Sequence, residues 1–207
     1  MTNPVRRLVF LLLLLLGLQQ VGVALLIYAK AAIAPVLVER AWTKSLQFGG
    51  LPVKPWPWAD TWPMARLVVP ALKESQVVLA GDSGNALAFG PGHQSASAMP
   101  GSNGLTVIGG HRDTHFRFLQ NLRLGQRVGV QSGSGELRYY RVKSIDIVDA
   151  SAGGIALRDS QDQLMLVTCY PFDAVFSGGP LRYRVVAEPE LESRVPVITR
   201  QADRFML

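Results

Sequence analysis

Cysteine is almost absent from this sequence. A single cysteine, Cys169, occurs among 207 residues, so the chain cannot form an intramolecular disulfide. In an oxidising compartment a lone thiol is a liability unless it is buried or used in chemistry. The count by itself leaves two interpretations open, a packed structural cysteine and a reactive one.

Charged residues are also scarce, and they are not clustered. They make up 17% of the chain and leave a net charge of +6. The basic residues are mostly arginines that alternate with apolar residues, as in residues 137–141, whereas nucleic-acid binding needs clustered Lys and Arg or a known motif. We therefore expect no nucleic-acid partner, and we attribute the positive charge to an anionic membrane or envelope polymer. No acidic cluster is visible, and we expect no metal ion and no cofactor.

An apolar segment near the N-terminus is long enough to cross a membrane. Two arginines at positions 6–7 precede an apolar run that extends, with one polar break, to Tyr28. About twenty apolar residues span a hydrocarbon core of ~30 Å as a helix. We predict a cytoplasmic N-terminus over residues 1–7 and a transmembrane anchor over residues 8–29, because basic residues stay on the cytoplasmic side. A signal peptide cleaved near residues 29–31 is the alternative.

Tryptophan and proline concentrate just after this apolar segment. All four tryptophans lie within residues 41–63, where they alternate with prolines. Repeated prolines exclude a helix and favour extended backbone. We predict that residues 30–63 form a Trp/Pro-rich linker that packs on the following domain, because several exposed indoles would be costly in water. A semi-rigid spacer at the membrane surface is the alternative.

Beyond residue 63, short apolar or alternating runs are separated by glycine, proline and other turn residues. Helical pattern is limited to one turn near residues 85–89 and to a brief helix capped by Asp113 or Thr114. The predicted strands cover residues 66–69, 75–79, 105–108, 127–131, 136–148, 164–170 and 181–187. Seven or eight short strands at this spacing favour a mainly β fold, with a small β-barrel as the first choice.

Cys169 and His111 each lie at the end of a predicted strand. Pro171 cannot donate to a sheet ladder, so the strand that contains Cys169 stops there and the thiol can face a cleft. His111 follows two glycines that end the strand over residues 105–108. The thiolate is the reactive form of cysteine, and a neighbouring histidine and a cation promote it. We predict Cys169 as nucleophile and His111 as acid/base; a packed thiol and a surface histidine are the alternatives.

The other candidate catalytic residues are the two remaining histidines and the arginines of the last strand. His93 lies in a Gly/Pro-rich stretch and His115 near a helix start, so we interpret both as structural or solvated. Arg182 and Arg184 share one face of the last strand, and periodicity does not choose between them. Arg182 is nearer the loop that follows Cys169, which makes it the better candidate for a shared cleft.

Three segments resemble the motifs of sortases. Residues 109–114 resemble the histidine motif, residues 166–169 the cysteine motif and residues 181–185 the arginine strand, in the same order and with similar separations. Leu166 and Val167 stand where many sortases carry Thr-Leu, and no inference rests on them. The stretches 87–93 and 99–101 further resemble the Gram-negative, proteobacterial subgroup related to class D. The resemblance covers residues 56–188.

The resemblance implies a closed eight-stranded β-barrel with one or two short helices, a catalytic domain over residues 64–188 and a tail over residues 189–207. It also implies a cysteine transpeptidase. Cys169 attacks a threonine carbonyl in an LPXTG-like sorting signal and forms a thioacyl enzyme. His111 protonates the departing amine and later deprotonates the incoming one, while Arg182 stabilises the oxyanion.

Partners and location follow from the same resemblance. The substrate is expected to be a secreted protein with a C-terminal sorting signal, and the acceptor an amine of the cell envelope. The chain is expected to be a single-pass protein of the bacterial inner membrane, with its catalytic domain facing the periplasm or exterior. The pocket walls are expected from residues 150–156 and 170–180. The predicted substrate-binding residues are Thr168, Ile155, Ala156 and Tyr170, with Thr168 acting as a support.

Other functions remain open from the residues alone. A cysteine hydrolase would use the same groups but release a free acid after water attacks the thioester. An L,D-transpeptidase is disfavoured, because residues 168–171 lack the Ser-His-Gly-Cys type of pattern. A membrane-anchored β-barrel binding module, which is not an enzyme, would not need Cys169.

Overall fold

The computed structural model describes residues 4–153, 161–174, 176 and 178–196, with only the backbone for 191–196. The chain divides into two compact units, Met1–Leu37 and Val38–Leu207. The first unit consists of most of one long helix, and the second contains the end of that helix and all the strands.

The long helix α1 covers Pro4–Gln47. Its apolar window has a mean hydropathy of 2.4, so by length and composition this helix could cross a membrane. The helix ends at Gln47, so residues 41–47 are helical, and the prediction that prolines exclude a helix over residues 41–63 is wrong for them. Residues 36–47 contain neither proline nor glycine, and Ala41 and Trp42 are buried at 3% and 1% exposure, so packing favours the helix.

Eight strands form a closed barrel, which confirms the predicted mainly β architecture. The order around the barrel is β1-β2-β3-β4-β7-β8-β6-β5. The pairs β2/β3 and β4/β7 are parallel, and the other neighbours are antiparallel. The strands are β1 Pro63–Val69, β2 Glu74–Ala80, β3 Gly92–His93, β4 Leu105–Gly109, β5 Arg127–Ser132, β6 Glu136–Asp149, β7 Gln163–Cys169 and β8 Leu181–Pro196.

Helical structure in the barrel unit is short. Besides the end of α1, the described residues of this unit contain α2 at Gly84–Leu87 and 3₁₀ turns at Pro70–Leu72 and Arg117–Asn121. The second 3₁₀ turn has Phe116 at its N-cap position. The prediction that Asp113 or Thr114 caps this segment is therefore wrong. Phe116 is fully buried, so burial of its ring fixes where the turn begins.

Alternating side chains fill the barrel interior. In β1 the buried residues are Pro63, Ala65, Leu67 and Val69, and the last three pack with inward residues such as Leu166 of β7 and Val185 of β8. Burying one such aliphatic side chain contributes about 1.5–3 kcal/mol, so this alternation fixes the register of each strand.

The opposite face of β4 and β7 is also apolar. Leu105 and Val107 of β4 pack with Met165 and Val167 of β7 in a second cluster, separate from the interior. Both strands are therefore apolar on both faces at this point, as is usual for parallel neighbours. The C-terminal ends of these two strands lead to His111 and Cys169, the predicted catalytic residues.

Two segments extend the sheet beyond the prediction. β3 is a two-residue strand inside the Gly/Pro-rich stretch 90–104, where no strand was predicted. β8 continues to Pro196, so residues 189–196 belong to the sheet and not to a tail that starts after Glu188. The reason is β6, which is 14 residues long and offers partners as far as the Glu136–Pro196 pair.

The tryptophan-rich segment packs on the barrel unit in part. Trp42 is fully buried, and the ring of Trp56 lies 5.0 Å from that of Phe89 in an edge-to-face contact. Arg66 of β1 forms an ion pair with Glu39 and lies over the Trp42 ring. Trp58 is the exception to the predicted packing, with 82% of its surface exposed.

Candidate active site

Cys169 and Arg182 are direct cross-strand partners at the ends of β7 and β8. The Tyr170 amide donates to the Leu181 carbonyl, so the adjacent Cys169–Arg182 pair occupies a non-hydrogen-bonded position. At such positions the Cα atoms are about 4.5 Å apart and the side chains leave the sheet on the same face. Cys169 is half-buried and carries a free thiol. The register therefore brings the predicted nucleophile and the predicted oxyanion partner together.

The sheet also brings the histidine segment beside the cysteine strand. β4 and β7 are parallel, with Gly109 opposite Val167, so their carboxyl ends meet at the same edge of the barrel. The Gly110 amide continues the ladder by donating to the Val167 carbonyl at 3.2 Å. β4 ends at Gly109, two residues before His111. We expect His111 on the outer face of the barrel, the face of Cys169, if the alternation of Val107 and Gly109 continues, and this placement stays a prediction. His111 is exposed to solvent.

Thr168 fixes these two strand ends to each other. Its side chain is buried on the inner face, and its Oγ1 donates to the Gly110 carbonyl at 2.7 Å. The hydrogen bond joins the residue before Cys169 to the residue before His111. This contact agrees with a supporting role for Thr168; a direct contact with substrate stays a prediction.

Gly110 is required by close packing. A Cβ atom at this position would lie 2.8 Å from Cγ of Phe116 and within 3.1 Å of two further ring carbons. The Phe116 ring is fully buried in the core, so it cannot move aside cheaply. By contrast, the contact of a Cβ at Gly109 with the described residues is one with the Val167 carbonyl oxygen, at 4.0 Å.

The structure distinguishes Arg182 from Arg184, which side-chain periodicity alone could not do. Arg184 lies opposite Val167, two pairs further from the strand end, and its Nη2 is 3.3 Å from Oδ2 of Asp146. Arg182 lies opposite Cys169, and its Nη1 donates to the carbonyls of Gly179 and Leu181 at 2.6 and 2.9 Å. Of the two, only Arg182 is beside the cysteine.

Tyr170 lies in an aromatic cluster at the end of the barrel. Its ring is 6.3 Å from the rings of both Phe172 and Tyr183. Phe172 and Tyr183 themselves pack against the core. Burial, with a smaller contribution from Tyr170, raises the pKa of Tyr183. The described contacts of Tyr170 thus support the strand ends, and substrate binding by this residue stays a prediction.

The other two histidines differ from each other. His93 is buried, and its Nε2 lies 2.9 Å from the Ala98 carbonyl and 3.1 Å from Oγ of Ser97, which agrees with a structural role. His115 is half-buried near His111. Burial, and then the charge of His111, lower the pKa of His115. His115 also lines a polar cavity of about 300 Å³ that none of Cys169, His111 and Arg182 lines.

One contact near the site was not predicted from sequence. Arg112, the residue after His111, donates from Nη2 to the carbonyls of Ala174 and Phe176 at 2.9 and 3.0 Å. It joins the histidine segment to the loop between β7 and β8. Side-chain periodicity cannot predict a contact between Arg112 and residues more than sixty positions later in the chain. The one feature of the sequence that singles out Arg112 is that it follows His111.

A hydrogen bond joins described residues of the two predicted pocket walls. The Ala150 amide donates to the Pro180 carbonyl at 2.9 Å, which joins the start of the β6–β7 loop to the end of the β7–β8 loop. Ile155 and Ala156, predicted to bind substrate, lie outside the described residues. Within the described part of the chain, no three His, Cys, Asp or Glu residues group so as to hold a metal ion.

The fold and the site define a β-barrel that carries a cysteine and a histidine at adjacent strand ends. The family model described as "Sortase domain" matches residues 67–190, which is more than half of the chain. The chain therefore belongs to the sortase family.

Similar proteins agree with this assignment. Sortase D of Bacillus subtilis (strain 168) is 33% identical over 117 residues, which span 56% of this chain and 59% of that relative. The match thus covers less than two thirds of that protein. Sortase A from Corynebacterium diphtheriae has a similar structure, with a TM-score of 0.56 and 22% identity over 77% of this chain and 85% of that one. A Clostridium perfringens sortase D5 transpeptidase matches with a TM-score of 0.56 and 18% identity, over 78% and 99% of the two chains. At these identities the two structures establish the fold alone.

Proposed function

We propose that this chain is a membrane-anchored cysteine transpeptidase that cleaves an LPXTG-like sorting signal and transfers it to an envelope amine. The observation that carries the proposal is the register at the ends of β4, β7 and β8. Cys169 lies opposite Arg182 in the β7–β8 pair, and the adjacent parallel strand β4 leads directly into His111. Membership of the sortase family supports the same chemistry.

The reaction requires a nucleophile, a proton carrier and an oxyanion donor. Sγ of Cys169 attacks the threonine carbonyl, the C–N bond breaks, and the imidazolium of His111 gives its proton to the departing amine. The incoming amine then attacks the thioester, His111 takes up its proton, and the thiolate leaves. The half-buried thiol of Cys169 and the exposed position of His111 are consistent with access of a substrate to both groups.

Arg182 is suited to stabilise the oxyanion. The two hydrogen bonds described for its side chain both use Nη1 and hold the guanidinium against the carbonyls of Gly179 and Leu181. A guanidinium carries five N–H donors, so other donors can point toward the carbonyl oxygen that Cys169 attacks. One preorganised oxyanion donor contributes about 3–4 kcal/mol to transition-state stabilisation.

The N-terminal helix supports the proposed location. α1 has the length and the apolar composition of a membrane span, and basic residues 6–7 precede its apolar part. Under the positive-inside rule, the N-terminus is cytoplasmic and the barrel faces the periplasm or exterior.

The test uses the full-length chain in detergent, incubated with a library of Leu-Pro-X-Thr-Gly peptides and a small amine. Mass spectrometry should detect a peptide joined to the amine and an acyl adduct trapped on Cys169. Cys169→Ala should abolish both species, and Arg123→Gln, which changes an exposed arginine, should leave them unchanged.

Three outcomes would overturn the proposal. Free acid as the sole product, at any amine concentration, would indicate a cysteine hydrolase. Cleavage that persists in Cys169→Ala would exclude Cys169 as the nucleophile, and binding of the peptides with no turnover would indicate a binding module.

A further inference from the structure

Arg112 joins two active-site segments that are distant in sequence. It follows His111 directly, and its Nη2 donates to the carbonyls of Ala174 and Phe176 in the β7–β8 loop at 2.9 and 3.0 Å. That loop connects the strand of Cys169 to the strand of Arg182. One guanidinium nitrogen therefore connects the histidine segment to the loop between the other two proposed catalytic residues.

Polar contacts join the described residues of this loop to other parts of the barrel. Phe176 is 86% exposed, so its ring does not anchor the loop in the core. The far end of the loop is held by Nη1 of Arg182, which donates to the Gly179 carbonyl, and by the Ala150 amide, which donates to the Pro180 carbonyl. Arg112 provides the corresponding contact at the middle of the loop.

We propose that Arg112 is a positioning residue for substrate binding, which holds the β7–β8 loop against the histidine segment. This inference rests on the proposed transpeptidase function. With the loop held, the predicted pocket wall over residues 170–180 keeps a fixed position relative to the histidine segment. Without the contact, Cys169 stays on its rigid strand, and the loop is free to move away from the bound peptide.

The geometry favours arginine over lysine. The two N–H bonds of Nη2 diverge in the guanidinium plane, so one nitrogen reaches two carbonyls at once. Lysine keeps the positive charge, but its ammonium sits one bond closer to the backbone and lacks the planar fork. Arg112→Lys therefore separates a role in hydrogen bonding from a role of charge.

The experiment compares Arg112→Gln, Arg112→Lys and the control Arg123→Gln in the full-length chain in detergent. Hydrogen exchange of peptides spanning residues 170–181 reports on the loop, and steady-state transfer from a Leu-Pro-X-Thr-Gly peptide to a small amine reports on function. Both Arg112 variants should exchange faster in this loop and raise KM about tenfold, with kcat changed less than about threefold, as expected when uniform binding is lost. Arg123→Gln should match the unmodified chain in both measurements.

Several results would overturn the inference. Unchanged exchange over residues 170–181 in Arg112→Gln would show that the contact does not hold the loop. Arg112→Lys that behaves like the unmodified chain would assign the effect to charge, and a fall in kcat at constant KM would assign Arg112 to chemistry. If the unmodified chain transfers no peptide, the proposed function fails, while the exchange measurement still decides whether Arg112 holds the loop.

Discussion

Thr168 and Gly110 are joined by a hydrogen bond of 2.7 Å from the threonine hydroxyl to the glycine carbonyl. Each residue immediately precedes a proposed catalytic residue, Cys169 in one case and His111 in the other. The bond adds to the β4–β7 ladder, in which the Gly110 amide donates to the Val167 carbonyl. The two strand ends are thus fixed by a donor and an acceptor on the same glycine.

Removal of the Thr168 hydroxyl should weaken both stability and activity. Thr168→Val keeps the shape but leaves the Gly110 carbonyl without this donor, at a cost of about 1–3 kcal/mol in the free energy of unfolding. Small shifts of His111 should lower kcat/KM about tenfold or more, because catalytic groups tolerate little displacement. Denaturant unfolding in detergent and peptide transfer measure the two effects.

The matched control is Thr168→Ser, which retains the hydroxyl. It should keep most of the activity that Thr168→Val loses. Equal losses in the two variants would contradict the prediction, because Thr168→Ser keeps the hydroxyl that donates to the Gly110 carbonyl.

A methyl group at position 110 should be far more costly than one at position 109. Gly110→Ala places a Cβ 2.8 Å from the buried Phe116 ring, and overpacking of this kind costs about 1–3 kcal/mol. Gly109→Ala meets one atom at 4.0 Å and should leave the free energy of unfolding nearly unchanged. Thermal or denaturant unfolding of both variants checks the prediction; similar stabilities would contradict it.

Arg182 and Arg184 should differ strongly in their effect on activity. Arg182→Gln removes the guanidinium opposite Cys169, and kcat should fall by about 10²–10³-fold, as for loss of one oxyanion donor. Arg184→Gln removes an ion pair with Asp146 that is partly exposed, and such pairs contribute at most about 1 kcal/mol. Steady-state kinetics of the two variants measures the difference, and a larger loss for Arg184→Gln would reverse the assignment.

His115 should make the fold less stable in mild acid. Burial lowers the pKa of His115 from its ordinary value of 6.5, so the unfolded chain binds this proton more readily than the folded one. The stability that the fold gains from holding His115 in its neutral form is therefore fully present above pH 6.5. It is lost as the pH falls below that value. His115→Gln should reduce the dependence of unfolding on pH in this window.

Nuclear magnetic resonance titration of the imidazole gives a direct check. The charge of His111 is the second cause of the lowered pKa, and Asp113 and the Ala88 backbone oppose the shift. His111→Gln should therefore raise the pKa of His115. A His115 that titrates at or above 6.5 in the unmodified chain would contradict the prediction.

Local sequence predicted most of the barrel strands. The alternation from Arg66 to Val69 and the turn residues 132–135 between β5 and β6 correspond to elements of the structure. Strand ends were predicted less well, and β8 was underestimated because its last residues pair with the distant start of β6. The helical end of α1 was missed because the non-helical backbone expected around the later prolines was assumed to begin before Trp42. Trp42 is in fact a buried residue of the helix.

Part of the candidate site could also be predicted from local sequence, and part needed the tertiary structure. Cys169 was predicted as the nucleophile because it is the one cysteine of the sequence and because Pro171 ends its strand. His111 was predicted as the acid/base because two glycines before it end a neighbouring predicted strand. The choice between Arg182 and Arg184 needed the register, which puts only Arg182 opposite Cys169. The roles of Arg112 and of the Thr168 hydroxyl lie in contacts between strands and loops that no local pattern encodes.

The amino-acid sequence alone determined that the chain has short strands, an apolar N-terminal segment and one thiol at a strand end. These properties follow from side-chain period, length and proline chemistry, which act over a few neighbouring residues. The tertiary structure decided which strand ends are adjacent, which arginine faces the thiol and which backbone carbonyls hold the loop. Those contacts depend on how distant strands pair when the barrel closes, because hydrogen bonding and burial between them select one register from many that local sequence allows.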